Sequence, residues 1–336
     1  MTTFPLLQLP LVAMEHVLCM MSPFELIDVS LASSRAKRCV KNFTRTQQII
    51  STSFDNSHHS ITFQIKRMSW RYAIKMNESH ASRYKCVNQL ARIHFKTDTE
   101  LIIKVSEKPL KEIIKWFDYA REVLNCKIDD VSLDLGYPSS ENRETIDWIA
   151  AQNKTMNNME ILNDLGESYD HLNEDLKYIM KRIHVSGRFN LEIEKYKDDF
   201  RMEIPGKPAY LCILNAQFID YEQLLKLKSP VIILQNSILT SQEINQFLRS
   251  WISCETHFEL EAIEISVSDP DAMIEIIDLP HEKTNDPKIV KAFGGYPHYH
   301  QVKNEIFTIK RSDGKKRASV NIDRLWYGRS LFLIVH

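Results

Sequence analysis

FPLLQLPLVAMEHVLCMMSPFELIDVSLASSRAKRCVKNF, residues 4–43, is denser in apolar side chains than a surface segment and more interrupted than a membrane span. A transmembrane helix needs about 20 predominantly apolar residues; this stretch carries Pro5, Gln8, Pro10, Glu15 and His16. A secretion signal opens on a basic region, yet no charged side chain precedes Glu15. The pattern is that of consecutive short helices. Pro10 suits a first helical position, where its missing N–H costs nothing. Leu11, Met14, Leu18 and Met21 then recur at helical spacing, with Val12, Ala13, Val17 and Cys19 making the other faces apolar. Ser22, Pro23 and Glu25 form a capping box with proline in its favoured place, ahead of the apolar Phe24, Leu26, Ile27 and Leu31. Ser33 or Ser34 caps a third, basic helix, Arg35 to Lys41, with Ala36, Cys39, Val40 and Phe43 inward. Three such helices carry more apolar surface than they can cover among themselves. The surplus either packs on the rest of the chain or forms an interface.

The stretch resembles an F-box. Leu9-Pro10, Leu18, the Pro23-x-x-Leu26-Ile27 element, Ser30-Leu31 and the Ser34-Arg35-x-Lys37 run carry the likeness; the third helix lacks the tryptophan common there. The resemblance implies docking on a Skp-type adaptor and, through it, on a cullin RING ubiquitin ligase. The adaptor-binding residues it points to are Leu9, Pro10, Leu11, Leu18, Met21, Pro23, Leu26, Ile27, Leu31 and Arg35. Leu11, Leu18, Pro23, Leu26, Ile27 and Leu31 are expected to be exposed as a group, and residues 61–336 to fold without residues 1–45.

The chain beyond, 336 residues in all, has the composition of a globular protein, 43% hydrophobic and 26% charged. A net charge of −1 gives no general pull toward nucleic acid or anionic membrane. Glycine occurs only 8 times, and no GxGxxG or GxxxxGK[ST] loop is present, which weighs against a nucleotide-binding enzyme. The six cysteines are scattered without a CxxC pair and read as reduced thiols of an intracellular protein, cytoplasmic or nuclear. Sequons begin at Asn42, Asn77 and Asn153 and, without a signal peptide, carry no weight.

Within residues 44–60 the polar run STSFDNSHHS reads as a loop or linker. Ile61-Phe63-Ile65 and Trp70-Tyr72-Ile74 alternate as strands do, and Leu101–Val105 is a further short apolar run. From residue 109 a helix, PLKEIIKWFDYAREVL, is followed by the strand VSLDL at 131–135. Strand candidates then recur at Met159–Leu162, Ile183–Val185, Leu211–Leu214, Val231–Leu234 and Ala262–Val267, most about one leucine-rich-repeat unit apart. LNAQFIDYEQLLKL from Leu214 and LQNSILTSQEINQF from Leu234 align at an offset of 20, with Asp220 and Thr240 as helix caps. This predicts Leu214 and Leu234 in adjacent parallel strands, Leu224 and Ile244 facing inward, and Glu222 and Gln242 facing solvent. Asn215 and Asn236 stand 21 apart and are not taken as equivalent. EIFTIKRSDGKKRASVNI reads as a hairpin turning at Asp313-Gly314, and SLFLIV as a buried strand. The segment DPDAMIEIIDLPHEKTNDPKIVKAFGGYPHYHQ carries no readable motif.

LTSQEINQFLRSWI with Leu239, Asn245, Phe247, Leu248 and Trp251, then LEAIEI and the hairpin, resemble the type 2 F-box-associated domain of the nematode F-box family. That resemblance implies a domain for target capture. The expected fold is α/β: an F-box at 4–45, a strand-containing connector at 46–108, and a leucine-rich-repeat-like domain with a C-terminal hairpin at 109–336. The expected function is substrate recognition in an SCF-type ligase, with no catalytic, cofactor or metal residues and no nucleic-acid or membrane partner. The alternatives are a repeat-domain scaffold that recruits no ligase, and an uncharacterised hydrolase. His281, His298 and His300 fit no metal-ligand spacing, and Cys126 and Cys254 carry no nucleophile signature.

Overall fold

The computed structural model describes residues 6–47, 50–75, 82–87, 98–163, 171–197, 200–267, 272–294, 305–325 and 328–336. Asn77, His298 and His300 lie outside them. The chain divides into two compact units, residues 1–134 with 147–154, and residues 135–146 with 155–336.

The first unit opens on helices α1 (Leu11–Cys19), α2 (Pro23–Leu31) and α3 (Ser34–Gln47). Pro10 is the N-cap of α1 rather than its first helical residue. The capping box of α2 is formed: Glu25 N–H donates to Ser22 Oγ at 3.2 Å, and Ser22 N–H to Glu25 Oε2 at 2.7 Å. Helix α3 runs six residues past its expected end at Lys41. The strands are β1 (Ser51–Asp55), β2 (Ser60–Ile65), β3 (Met68–Lys75), β4 (Ser82–Val87), β5 (Asp98–Val105) and β6 (Asp130–Asp134), with helix α4 (Pro109–Leu124) before β6. Their order is β6-β1-β2-β3-β5-β4. Strand β1 pairs antiparallel with β2 and parallel with β6.

The polar run read as a linker is therefore a central strand and its hairpin turn. Thr52 and Phe54 alternate inward, and the polar residues are engaged rather than solvated. The Asp55 carboxylate accepts from Ser57 Oγ (2.7 Å), His58 N–H (3.1 Å) and Arg71 Nη2 (3.1 Å). Burial acts to raise this carboxyl, but the hydrogen bonds from Ser57 and His58 outweigh it and hold it below the usual range.

Helix α5 (Ser139–Gln152) contributes residues to both units. The second unit continues with β7 (Thr155–Met156), β8 (Asn158–Leu162), α6 (Leu172–Arg182), β9 (His184–Val185), β10 (Arg188–Glu192), β11 (Tyr210–Ile213), α7 (Tyr221–Lys226), β12 (Val231–Leu234), α8 (Ser241–Ile252) and β13 (Ala262–Val267). Then come α9 (Ala272–Ile276), β14 (Glu282–Thr284), α10 (Pro287–Gly294), β15 (Ile306–Lys310), β16 (Arg317–Leu325) and β17 (Gly328–Val335). Strands β8, β10, β11, β12 and β13 pair in parallel, in that order. Their registers place Met159, Phe189, Leu211, Ile232 and Ile263 in one ladder and Ile161, Leu191, Ile213, Leu234 and Ile265 in the next, all buried. Half-buried Glu160, Asn190 and Cys212 alternate with them, the period of two that separates the faces of a sheet.

The strands at 211 and 231 are adjacent and parallel, but Ile213, not Leu214, stands opposite Leu234. Leu214 lies just past the strand and is half-buried. The strands thus repeat at 21 while the caps Asp220 and Thr240 repeat at 20. Asn215 and Asn236 share the strand register after all. Asn215 Nδ2 donates to Glu194 O at 2.5 Å and Asn236 Nδ2 to Leu214 O at 3.1 Å, each tying its turn to the preceding strand's end. Both capping boxes form. Leu224 and Ile244 are buried; Glu222 and Gln242 are exposed.

Ile183–Val185 is not a rung of the main sheet. His184 and Val185 pair in a two-stranded sheet with β7, and the rung is β10, which sequence reading missed. Gly187 sets the spacing: a Cβ there would meet Asn157 O at 2.5 Å. The C-terminal hairpin β15–β16 forms as expected, with Arg311 N–H closing the turn onto Lys316 O at 3.0 Å and Gly314 at φ 70°. Strand β17 runs antiparallel to both β13 and β16 and joins the parallel run to the hairpin; β14 pairs with β15.

Candidate functional site

The opening helices present two kinds of apolar surface. One is covered by the chain's own first unit. Phe24 meets Phe63 and Trp116 edge-on, ring centroids 6.4 Å away in both cases, and Trp116 stacks on Tyr72 at 4.0 Å. Ser30 Oγ donates to Ile27 O at 2.6 Å and lies 2.9 Å from the Tyr119 hydroxyl of α4. Thr44 Oγ1 donates to Val123 O at 2.8 Å. Lys37 and Lys41, one turn apart on α3, converge on Glu122 at 2.8 and 3.0 Å, and these hydrogen bonds hold the Glu122 carboxyl below its ordinary value. Ala36, Val40 and Phe43 are buried, as the spacing predicts, and Cys39 is half-buried.

The other surface is open. Leu11 and Val12 at the start of α1 are each 65% exposed, Met20 just past its end 79%, and Leu31 at the end of α2 63%. Pro10 is exposed as well, and Leu9 and Met21 are half-buried. The expectation of collective exposure is thus met only in part. Leu18 on α1 and Pro23, Leu26 and Ile27 on α2 are buried, because each helix turns these positions toward the interior, while the Leu31 end of α2 projects outward. Arg35 is exposed and donates from Nη2 to Leu7 O at 3.1 Å, tying the turn Leu6–Gln8 to α3. Sequence reading passed over the exposure of Val12 and Met20; helical spacing alone gave both faces of α1 equal apolar weight.

The residues weighed for catalysis do not assemble. Cys126 is buried, which pushes its thiol up to about 11 and keeps it protonated. Cys254 is half-buried, its sulfur 3.5 Å from Ser312 Oγ, and that contact lowers its thiol below the ordinary value. His281 Nδ1 lies 2.9 Å from Leu279 O. Among the described residues, no three His, Cys, Asp or Glu side chains are grouped to hold a metal ion, and no helix is long and apolar enough to cross a membrane.

Residues 6–48 match the family model described as F-box domain, and residues 199–265 the one described as F-box associated. The Skn-1 dependent zygotic transcript 15 protein of Caenorhabditis elegans is 23% identical over 345 residues, covering 93% of this chain and 92% of that protein. No solved structure matches. F-box domains bind a Skp-type adaptor in SCF complexes, and proteins built this way are generally non-catalytic adaptor subunits. The F-box match falls on the helices with the divided apolar surface, and the F-box-associated match spans the parallel rungs β11 to β13 with their two capped helices. With both matches in this order, the chain is similar to nematode F-box proteins that carry a type 2 F-box-associated domain.

Proposed function

We propose that this protein is the substrate-recognition subunit of an SCF-type cullin RING ubiquitin ligase. Leu11, Leu31 and their exposed neighbours hold a Skp-type adaptor, which links to the cullin, and the second unit holds a target protein. The protein itself is non-catalytic and works inside the cell. Its contribution is proximity: a captured target sees the ligase's transfer centre at a high effective concentration, with no reacting group supplied from this chain. The observation that carries this reading is the open apolar surface on helices whose other large apolar residues, Met14, Leu18, Phe24, Leu26 and Ile27, are buried. Single exposed apolar residues are ordinary, but four large ones on or just past two short helices matched by the F-box model favour a partner over water.

The five-strand parallel run supports reading the second unit as leucine-rich-repeat-like, with Asn215 and Asn236 in equivalent turns. The spacing of its rungs, 30, 22, 21 and 31 residues by register, is less even than in a regular array.

One observation favours a scaffold that recruits no ligase: α2 and α3 pack closely on α4, so these helices already have a structural role. Co-expression of the full chain with a Skp-type adaptor, followed by size-exclusion chromatography, separates the two readings. A stable complex supports the receptor role. Two separate peaks would leave the scaffold.

A further inference from the structure

The second unit contains a cavity of about 680 Å³ between residues 202–207 and helix α7 with the residues just after it. Its floor is apolar. Met202, Ile219 and Leu227 are buried, and Leu225, on the wall, is 37% exposed. Its rim carries Lys207, Lys226 and Lys228, with Glu203 the one carboxylate among the lining residues. Glu203 pairs with Lys226 at 3.4 Å and Lys207 pairs with Glu259, whereas among the described residues Lys228 has no ion pair. Gly206 bends the wall at φ 81°. A Cβ there would meet nothing within 4 Å, so the backbone bend rather than space calls for glycine. No aromatic side chain lines the cavity among the described residues, so it offers stacked bases no platform.

An extended peptide sends successive side chains to opposite sides. Apolar side chains at every second position would reach this floor, and carboxylates between them would meet the lysine rim. We propose that the cavity receives a short extended segment of a target protein in which apolar and acidic residues alternate. The proposal rests on the receptor reading above and names the chemistry of what the receptor captures.

Fluorescence anisotropy with the full chain tests it. The probe is a fluorescein-labelled octapeptide with a central Leu-Glu-Leu-Glu. One comparison peptide has lysine for each glutamate, and a second has serine for each leucine. The Leu-Glu peptide is expected to bind and both comparisons to bind at least tenfold more weakly. Lys228→Glu should weaken the probe about tenfold, while Lys315→Glu, the same charge change on an exposed turn outside the cavity, should not. Equal binding of the lysine peptide, equal effects of the two charge reversals, or displacement by an oligouridylate of matched charge would each overturn the proposal. Adaptor co-purification with the wild-type chain is read separately. A chain that holds the adaptor but not the probe retires the cavity alone; one that holds the probe but not the adaptor retires the receptor reading alone.

Discussion

Two double substitutions on the opening helices, Leu11→Ala with Leu31→Ala and Leu26→Ala with Ile27→Ala, should behave as opposites. Leu11 and Leu31 are 65% and 63% exposed, so each has about two-thirds of its side chain left for a partner to cover. Full burial of a leucine is worth about 1.5–3 kcal/mol. Two-thirds of that is about 1.5 kcal/mol each, or about 3 kcal/mol for the pair, a roughly 150-fold loss of adaptor affinity. The folded chain loses almost nothing, because these side chains already stand in water. Leu26 and Ile27 are 0% and 4% exposed. Truncating either removes packing within the first unit at about 2–5 kcal/mol, so the pair costs about 4–10 kcal/mol, a large share of the roughly 5–15 kcal/mol that holds an ordinary unit folded. Isothermal titration with purified Skp-type adaptor measures the first effect, and urea unfolding of the free chain the second. Unchanged adaptor affinity in the Leu11/Leu31 variant, or a large loss of stability in it, would refute the division between covered and open surface. For the same reason, deleting residues 1–45 should lower the stability of the first unit, since Trp116 and Phe63 would lose their contacts with Phe24.

Two further outcomes follow from the second unit. His257 is pushed down to about 4 by burial against Phe247. The unfolded chain takes up that proton near the ordinary 6.5, so the contribution to stability is complete above pH 6.5 and is lost as pH falls toward 4. Urea unfolding at pH 7 and pH 5 should differ by about 2 kcal/mol more in the wild type than in His257→Asn; equal differences would show that His257 is not held neutral. Gly187→Ala places a methyl 2.5 Å from Asn157 O and should cost about 1–3 kcal/mol by overpacking, read in the same assay. A neutral outcome would mean that the backbone at Asn157 yields.

Local rules wrote much of this fold openly. Ser22, Asp220 and Thr240 announce helix starts through chemistry confined to four residues, and all three boxes form. Hairpin β15–β16 is marked by its turn and its alternation. What sequence concealed depends on distant partners. Strand β1 looks polar because Asp55, Ser57 and His58 are satisfied by one another and by Arg71, sixteen residues beyond Asp55. Strand β10 escaped notice because Ile183–Val185, more apolar and just upstream, drew the assignment. The register of 21 was hidden because the turn after β12 is one residue shorter than the turn after β11, so an alignment anchored on the caps misplaces the strands by one. At the candidate site, the apolar content of α1 and α2 was legible, but its division was not. Which leucine faces inward is decided by α4, some eighty residues downstream.

Strand β17, seated between β13 and β16, has a consequence in time. Its residues leave the ribosome about 65 positions after those of β13. At typical synthesis rates of about 5–20 residues per second, that is a delay of roughly 3–13 s. Throughout it, Ile263 and Ile265 sit on a strand whose second edge has no mate, and open apolar edges recruit other chains. A nascent chain stalled between residues 267 and 328 is therefore the form of this protein most prone to aggregate.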